Sequence, residues 1–337
     1  MQFTILQSVY KNDKPEFFDQ CLESIKCNSL QPEKIVLVKD GQISTELDSI
    51  ITKWCELLPI QVVGYEQNQG LAYALNYGLQ FVETELVARM DSDDICYLDR
   101  FEKQINYFKL NPDCEICGTG LKEFYSISDN DYHEKIRLYP EFVDKTSKCL
   151  YKGTSLGHPT LMIKTEILMR YKYSENTSMN EDIDLWFRLI KDGYTIHNIQ
   201  EPLLNFRITN GTFKRRSIKK AWNEFKIYFS NLLSLFGFSP KLVFPIARLL
   251  TRFLPYSINK KLYFSDLRTK VLKKWIYVFY CSIRIKKICQ NTYFVCANIK
   301  KTNFVPPVKL EDGLKETIVY VVYPPKIIPL ERRVFLL

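Results

Sequence analysis

Two hydrophobic periods alternate along the first 90 residues. Phe3–Tyr10 is a short apolar run of strand length. Pro15–Cys27 sets Phe17, Cys21, Leu22 and Ile25 at helical spacing. Lys34–Val38 is a second apolar strand, which leads into Asp40-Gly41. Leu47–Leu58 reads as helix and Ile60–Gly64 as strand. Leu71–Val82 carries an apolar stripe at 71, 72, 75, 79 and 82, and Glu85–Met90 is an apolar strand that runs into Asp91. A βαβαβαβ order predicts an α/β fold with a mostly parallel sheet flanked by helices. In such sheets ligands bind beyond the carboxyl ends of the strands.

The rest is less regular. Arg100–Leu110 reads as helix, Cys114–Phe124 as one or two strands, and Glu181–Lys191 as an amphipathic helix. From about Lys214 the pattern becomes a series of basic amphipathic helices broken at Pro240, Pro245 and Pro255. These shifts place a boundary near residue 212, with an α/β domain over 1–212 and a basic, aromatic, mostly helical region over 213–337.

Charge sharpens that division. The chain of 337 residues has a net charge of +9. Residues 1–210 hold 22 Lys/Arg against 32 Asp/Glu, whereas 211–337 hold 25 against 6. An acidic half joined to a basic, aromatic one suits an enzyme attached to an anionic surface. No nucleic-acid motif accompanies the basic region. Met1 runs almost at once into a strand, so no signal peptide is expected, and no apolar run reaches the length of a membrane span. The ten cysteines are scattered, which predicts reduced, mostly buried thiols in a cytoplasmic protein. Cys114 and Cys117 form a lone CxxC with no second pair at zinc spacing.

The sharpest chemical feature is Asp91-Ser92-Asp93-Asp94 at the end of an apolar strand. Three carboxylates within four residues repel one another unless a cation lies among them. Mg²⁺ and Mn²⁺ take such oxygen ligands and share them with substrate phosphates. A solvated acidic turn that caps the next helix is the other use of such a cluster. A second acidic pair, Glu181-Asp182, opens an amphipathic helix. Helical spacing groups Asp182 with Leu185, Trp186 and Leu189, and puts Glu181, Asp184, Arg188 and Lys191 on the other side. A carboxylate on an apolar face is costly unless it lines a cleft. Asp184 and Arg188 are spaced to form an i,i+4 ion pair.

SVYKND at 8–13, KDG at 39–41, NQGLAYALNYG at 68–78, ARMDSDD at 88–94 and EDIDLWFRL at 181–189 occur in an order that resembles glycosyltransferase family 2. The resemblance covers roughly residues 1–212 and is nearest to bacterial O-antigen and exopolysaccharide enzymes of the amylovoran type. It implies a GT-A fold and a nucleotide-sugar donor. Ser8 and Tyr10 then fall where the family cradles the nucleoside, and Asp40 matches the carboxylate that binds the base, favouring UDP. The pattern at Asp40 departs from the family, which often has two aspartates where this chain has Lys39-Asp40. Asn68, Gly70 and Asn76 match donor-binding positions; Gly70 would let backbone approach the nucleotide, and Asn76 could equally cap or pack.

Asp91 and Asp93 match the DxD motif, with Asp93 the metal ligand and Asp91 a contact to ribose or metal. Mn²⁺ or Mg²⁺ is the implied cofactor. Asp182 matches the general base, beside Glu181. His158 lies near the acceptor or phosphate, and it could equally be a structural histidine. Arg207 would pair with the diphosphate. The implied reaction is transfer of a hexose, from UDP-glucose or UDP-galactose, with inversion at the anomeric carbon. The acceptor implied by the subgroup is a sugar on undecaprenyl diphosphate, which places the enzyme on the cytoplasmic face of the inner membrane. A sugar-phosphate nucleotidyltransferase would need a glycine-rich loop after the first strand, and SVYKNDKP has none. A catalytically silent membrane scaffold would not need the intact acidic motifs.

Overall fold

The structure, a computed structural model, describes residues 1–126, 132–177, 180–209 and 218–251. The break expected at Pro255 and the basic helices expected beyond 251 lie outside the described residues.

Four parallel strands form one half of a large sheet: β1 (Phe3–Val9), β2 (Lys34–Asp40), β3 (Ile60–Tyr65) and β4 (Leu86–Arg89). Their spatial order is β3-β2-β1-β4. Helices α1 (Pro15–Lys26), α2 (Thr45–Cys55) and α3 (Leu71–Leu79) connect them. Both faces of β1, β2 and β4 are covered, which is why they read as near-continuous apolar runs. Phe3, Ile5, Ile35 and Leu37 pack with Phe18 and Leu22 of α1 and with Leu47 and Trp54 of α2. The alternate residues Leu6, Val36 and Val38 pack with Ala74, Leu75 and Leu79 of α3. Each such fully buried aliphatic side chain contributes roughly 1.5–3 kcal/mol.

The chain continues through β5 (Ile95–Cys96), α4 (Arg100–Leu110), β6 (Ile116–Ser126), β7 (Tyr132–Arg137), β8 (Phe142–Val143) and α5 (Cys149–Lys152). A 3₁₀ turn at His158–Thr160 precedes β9 (Met162–Lys164), α6 (Thr165–Tyr171), α7 (Glu181–Lys191) and β10 (Ile196–Arg207). The sheet extends as β4-β9-β6-β10-β5, with β9 antiparallel to both neighbours and β6 parallel to β10. The long strand β10 escapes sequence reading for a physical reason. Pro202 offers no N–H to the ladder, and the register shifts on either side of it.

Helices α8 (Ile218–Phe236) and α9 (Val243–Thr251) follow. In α8, Ile227, Tyr228 and Leu232 join the core that holds Leu185 and Leu189 of α7. The Tyr228 hydroxyl donates to the Gly153 carbonyl at 2.8 Å. Helices α8 and α9 therefore belong to the compact unit that holds the sheet, and the boundary expected near residue 212 falls inside it. Composition misplaces it because a basic helix can still bury an apolar stripe. Among the described cysteines all are free; Cys27 and Cys55 are exposed and the other five buried. No helix of the described residues is long and apolar enough to cross a membrane.

Gly41, just past β2, has φ 81°, and a Cβ there would lie 2.6 Å from the Asn68 backbone nitrogen. Gly193 has φ 101° but open space around it. Gly193→Ala should cost about 1 kcal/mol of backbone strain, and Gly41→Ala at least about 2 kcal/mol, because a backbone atom must also move. Urea unfolding of both variants measures this; equal losses would show that the Asn68 turn yields freely.

Candidate active site

The site grows from the carboxyl ends of β1 and β4. Strand β4 runs into Asp91-Ser92-Asp93-Asp94, and two neighbours fix the first peptide of that turn. Gln7 Nε2 and Cys21 Sγ each donate to the Asp91 carbonyl at 3.2 Å. Buried Arg100 donates from Nη2 to the carbonyls of Arg89 and Pro159, both at 2.8 Å. The 3₁₀ turn and the end of β4 are thereby clamped together.

The carboxylates converge. Asp91, Asp93 and Asp94 each bring an oxygen within 4.8 Å of the others. Asp94 is fully buried. Its Oδ1 accepts from the Arg207 backbone N–H at 2.9 Å, and its Oδ2 is buried without a hydrogen-bond partner. Burial first, then repulsion from Asp93 and Asp91, pushes its acid well up. Buried Arg89 forms an ion pair with Asp91.

Asp13 joins the group from the loop after β1. Its Oδ2 accepts from the Tyr10 backbone N–H at 3.1 Å and from Ser92 Oγ at 2.9 Å. Burial raises its acid to about 7, with Asp93 and Asp91 adding to the effect. Arg207, at the end of β10, closes the other side. Its guanidinium lies 4.1 Å from the Phe17 ring centre and 4.7 Å from that of Phe124. It donates to the Asp93 carbonyl at 2.8 Å and to Gln20 Oε1 at 2.7 Å. Arg207 thus lies against Asp93 and Asp94.

The end of β2 organises the turn before α3. Asp40 is buried and its two oxygens take five contacts. Tyr65 Oη at 2.9 Å and the Gln69 N–H at 2.8 Å donate to Oδ1, and Asn68 Nδ2 donates to Oδ2 at 2.8 Å. The Gly70 N–H reaches both oxygens, at 3.3 and 3.1 Å. Asp40 therefore holds the turn that starts α3, where a carboxylate meets the positive end of the helix. Gly70 occupies φ 91° at that helix start. Ser8 and Tyr10 are half-buried at the end of β1, the neighbouring strand.

The structure gives Asn76 a different place from the one drawn from resemblance. It is buried within α3, where Nδ2 donates to the Tyr173 carbonyl at 2.8 Å and to Glu175 Oε1 at 3.0 Å. Its Oδ1 accepts from the Tyr173 N–H at 2.8 Å. Tyr173, so clasped, lies within electrostatic reach of both acidic motifs. Its buried hydroxyl is pushed up mainly by burial; Arg89 opposes this, and Asp182, Glu181 and Asp91 reinforce it. His158 Nε2 lies 3.0 Å from that hydroxyl, and the imidazole packs on Tyr173 and Trp186. Burial and the Arg89 cation hold His158 well below its ordinary range, so it is neutral.

Helix α7 corrects one expectation. Asp182 is half-buried, but Glu181, expected on the opposite side, is buried at 7% exposure. The buried arc takes in Phe187 and Ile190 as well as Leu185, Trp186 and Leu189, because sheet, α6 and α8 all pack around α7. The ion pair expected between Asp184 and Arg188 is present at 2.7 Å. Arg188 also donates to the last carbonyls of α6, at Tyr171 and Lys172.

Asp13, Arg89 and Tyr173 are the residues that sequence reasoning passes over. Asp13 and Arg89 lie inside the quoted motifs but have no periodic neighbours to mark them. Tyr173 has no sequence signal at all, since only Asn76, 97 positions away, defines its place.

A divalent cation fits this arrangement. An orphaned buried oxygen on Asp94 and converging oxygens on Asp91 and Asp93 form a hard, anionic donor set.

A sheet whose carboxyl ends open onto such a triad, with a second acidic pair across Tyr173, places the chain among the GT-A glycosyltransferases. The sequence profile of Glycosyl transferase family 2 matches residues 7–172. An amylovoran biosynthesis glycosyltransferase, AmsE of Erwinia amylovora, is 33% identical over 280 residues, covering 78% of this chain and 98% of that protein. The UDP-Gal:alpha-D-GlcNAc-diphosphoundecaprenol beta-1,3-galactosyltransferase of Escherichia coli is 32% identical over 273 residues, covering 79% and 97%. Among solved structures, S. aureus TarS 1-349 in complex with UDP-GlcNAc superposes with a TM-score of 0.56 at 16% identity, over 81% of this chain and 76% of that one. This protein belongs to glycosyltransferase family 2.

The buried acids predict a pH response. Asp13 and Asp94 hold their protons more tightly folded than unfolded, so the native state binds more protons and stability falls as pH rises. For Asp13 the loss runs from its unfolded value, 3.8, to about 7. In EDTA the Tm should therefore drop between about pH 4 and 7. Asp13→Asn should flatten that drop, and an unchanged slope would show that Asp13 carries none of it.

Proposed function

We propose that this glycosyltransferase transfers a hexose from UDP-glucose or UDP-galactose to a saccharide on a lipid diphosphate, with inversion, in O-antigen or polysaccharide synthesis. The observation that carries the reading is the convergence of Asp91, Asp93 and Asp94 beside Arg207, with Tyr173 within electrostatic reach of both Asp91 and Asp182. The named activity of the E. coli relative supports both the UDP-sugar donor and the diphosphate-linked acceptor.

Each side chain takes a role from its place. Ser8 and Tyr10 line the nucleoside end with Asn68 and Gly70, whose turn Asp40 fixes. Arg207, pinned between two aromatic rings, offers a cation to the diphosphate with little rotamer entropy left to lose. Asp93 and Asp91, supported by Asp94, would hold Mn²⁺ or Mg²⁺; such an ion neutralises charge on the departing diphosphate. Asp182 accepts the proton of an acceptor hydroxyl. That oxygen bonds to the anomeric carbon on the face opposite the diphosphate, and the bond to UDP breaks. Neutral His158 orients the Tyr173 hydroxyl between the two motifs.

Three variants test these roles. Asp93→Ala should abolish UDP release and transfer in Mn²⁺ while leaving the Tm of the metal-free protein within a few degrees, because its carboxylate serves the ion. Full activity in EDTA would overturn the metal assignment. Asp182→Asn should lose at least about 10²-fold in kcat with donor KM nearly unchanged. Glu181→Gln should retain more activity; the reverse ranking would move the base to Glu181.

A further inference from the structure

Helix α9 is amphipathic in the wrong sense for a water-facing helix. Its outward residues are apolar: Val243 is 61% exposed, Ile246 42% and Leu250 61%. They fall at i, i+3 and i+7, one face of the helix. Phe244 beside them, and Phe238 just before, are also exposed. The inward face holds the charge instead. Arg248 pairs with Glu224 of α8 at 3.0 Å and lies 4.5 Å from the Tyr228 ring centre.

The rim of the apolar face is cationic. Lys152 Nζ stands 5.5 Å from the Phe244 ring centre, and Lys241 Nζ stands 3.3 Å from that of Phe236 and 5.5 Å from that of Tyr151. Apolar and aromatic side chains between lysines are the composition of a helix that lies in a lipid headgroup layer. Charge decides against the rival occupants. Residues 252–337 carry 17 Lys/Arg against 5 Asp/Glu, so neither they nor the same face of a second copy would complement a lysine-rimmed face. An anionic bilayer would, and each basic residue near its surface adds to the attraction.

We propose that the outer face of α9, with Phe238 and Phe244, docks the enzyme on an anionic membrane surface. The proposal rests on the reading of the acceptor as lipid-linked. Helix α8 packs against both α9 and α7. The α8 residue Tyr228 lies within electrostatic reach of Asp182. A bilayer under α9 therefore brings a membrane-held acceptor to the side of the cleft where the base lies.

The test uses the full chain and a Val243→Glu, Ile246→Glu, Leu250→Glu variant, with vesicles of phosphatidylcholine with or without phosphatidylglycerol. The native chain should float with the anionic vesicles, and the variant should bind them at least about tenfold more weakly. Without vesicles the variant should keep the native Tm and the native rate of UDP release from donor in water. Undiminished vesicle binding would overturn the proposal, since the basic residues beyond 251 would then suffice. A lowered Tm would also overturn it, by showing that the chain itself covers the face, as would a native dimer that the variant dissociates. Absence of UDP release from both proteins would count against the transferase reading and not against the docking result.

Discussion

Repulsion among three carboxylates organises this molecule. Left to themselves, Asp91, Asp93 and Asp94 would turn apart into water. The fold prevents it by fixing the backbone beneath them: Gln7 and Cys21 hold the Asp91 carbonyl, Arg100 holds the Arg89 carbonyl, and Arg207 holds the Asp93 carbonyl. Arg89 supplies a buried countercharge from within the sheet. Two buried guanidiniums near the end of a single strand are expensive. Their presence makes sense where an anionic turn must be kept ready for a cation. Such preorganisation is costly in the empty protein and repaid on binding, a pattern common at functional sites.

The same constraint explains the architecture around it. Parallel strands bring their carboxyl ends to one edge, so β1, β2 and β4 deliver Asp13, Asp40 and the triad to neighbouring places without long loops. Strand β10 returns in parallel beside β6 and meets β5, which brings Arg207 against the triad. Across the gap, Asn76 and Tyr173 tie α3 to the segment before α7. Helix α3 and the segment before α7 thus share a hydrogen-bonded seam.

Much of this was legible in the sequence where a short-range pattern repeats. The βαβαβαβ half follows from apolar runs and helical stripes, and Arg100–Leu110 and Glu181–Lys191 match their helices. The DSDD turn was legible because charge density at a strand end has few innocent explanations. What failed depends on distance along the chain. Asn76 could be placed only through residue 173, and Asp40 shows its loop-holding role only once Tyr65, Asn68 and Gly70 surround it. Glu181 was misplaced because a single helical stripe understates burial when a helix is packed on three sides. The boundary near 212 failed because net charge does not report which face of α8 is buried.

The central claim is that the carboxylate turn is a cation site serving a nucleotide diphosphate. Calorimetric titration of UDP into the protein, with Mn²⁺ and then with EDTA, tests it without needing donor sugar or acceptor. Mn²⁺ should tighten UDP binding by at least about tenfold, and Asp93→Ala should erase that gain while keeping the weaker metal-free affinity. Equal UDP affinity with Mn²⁺ and with EDTA would contradict the account.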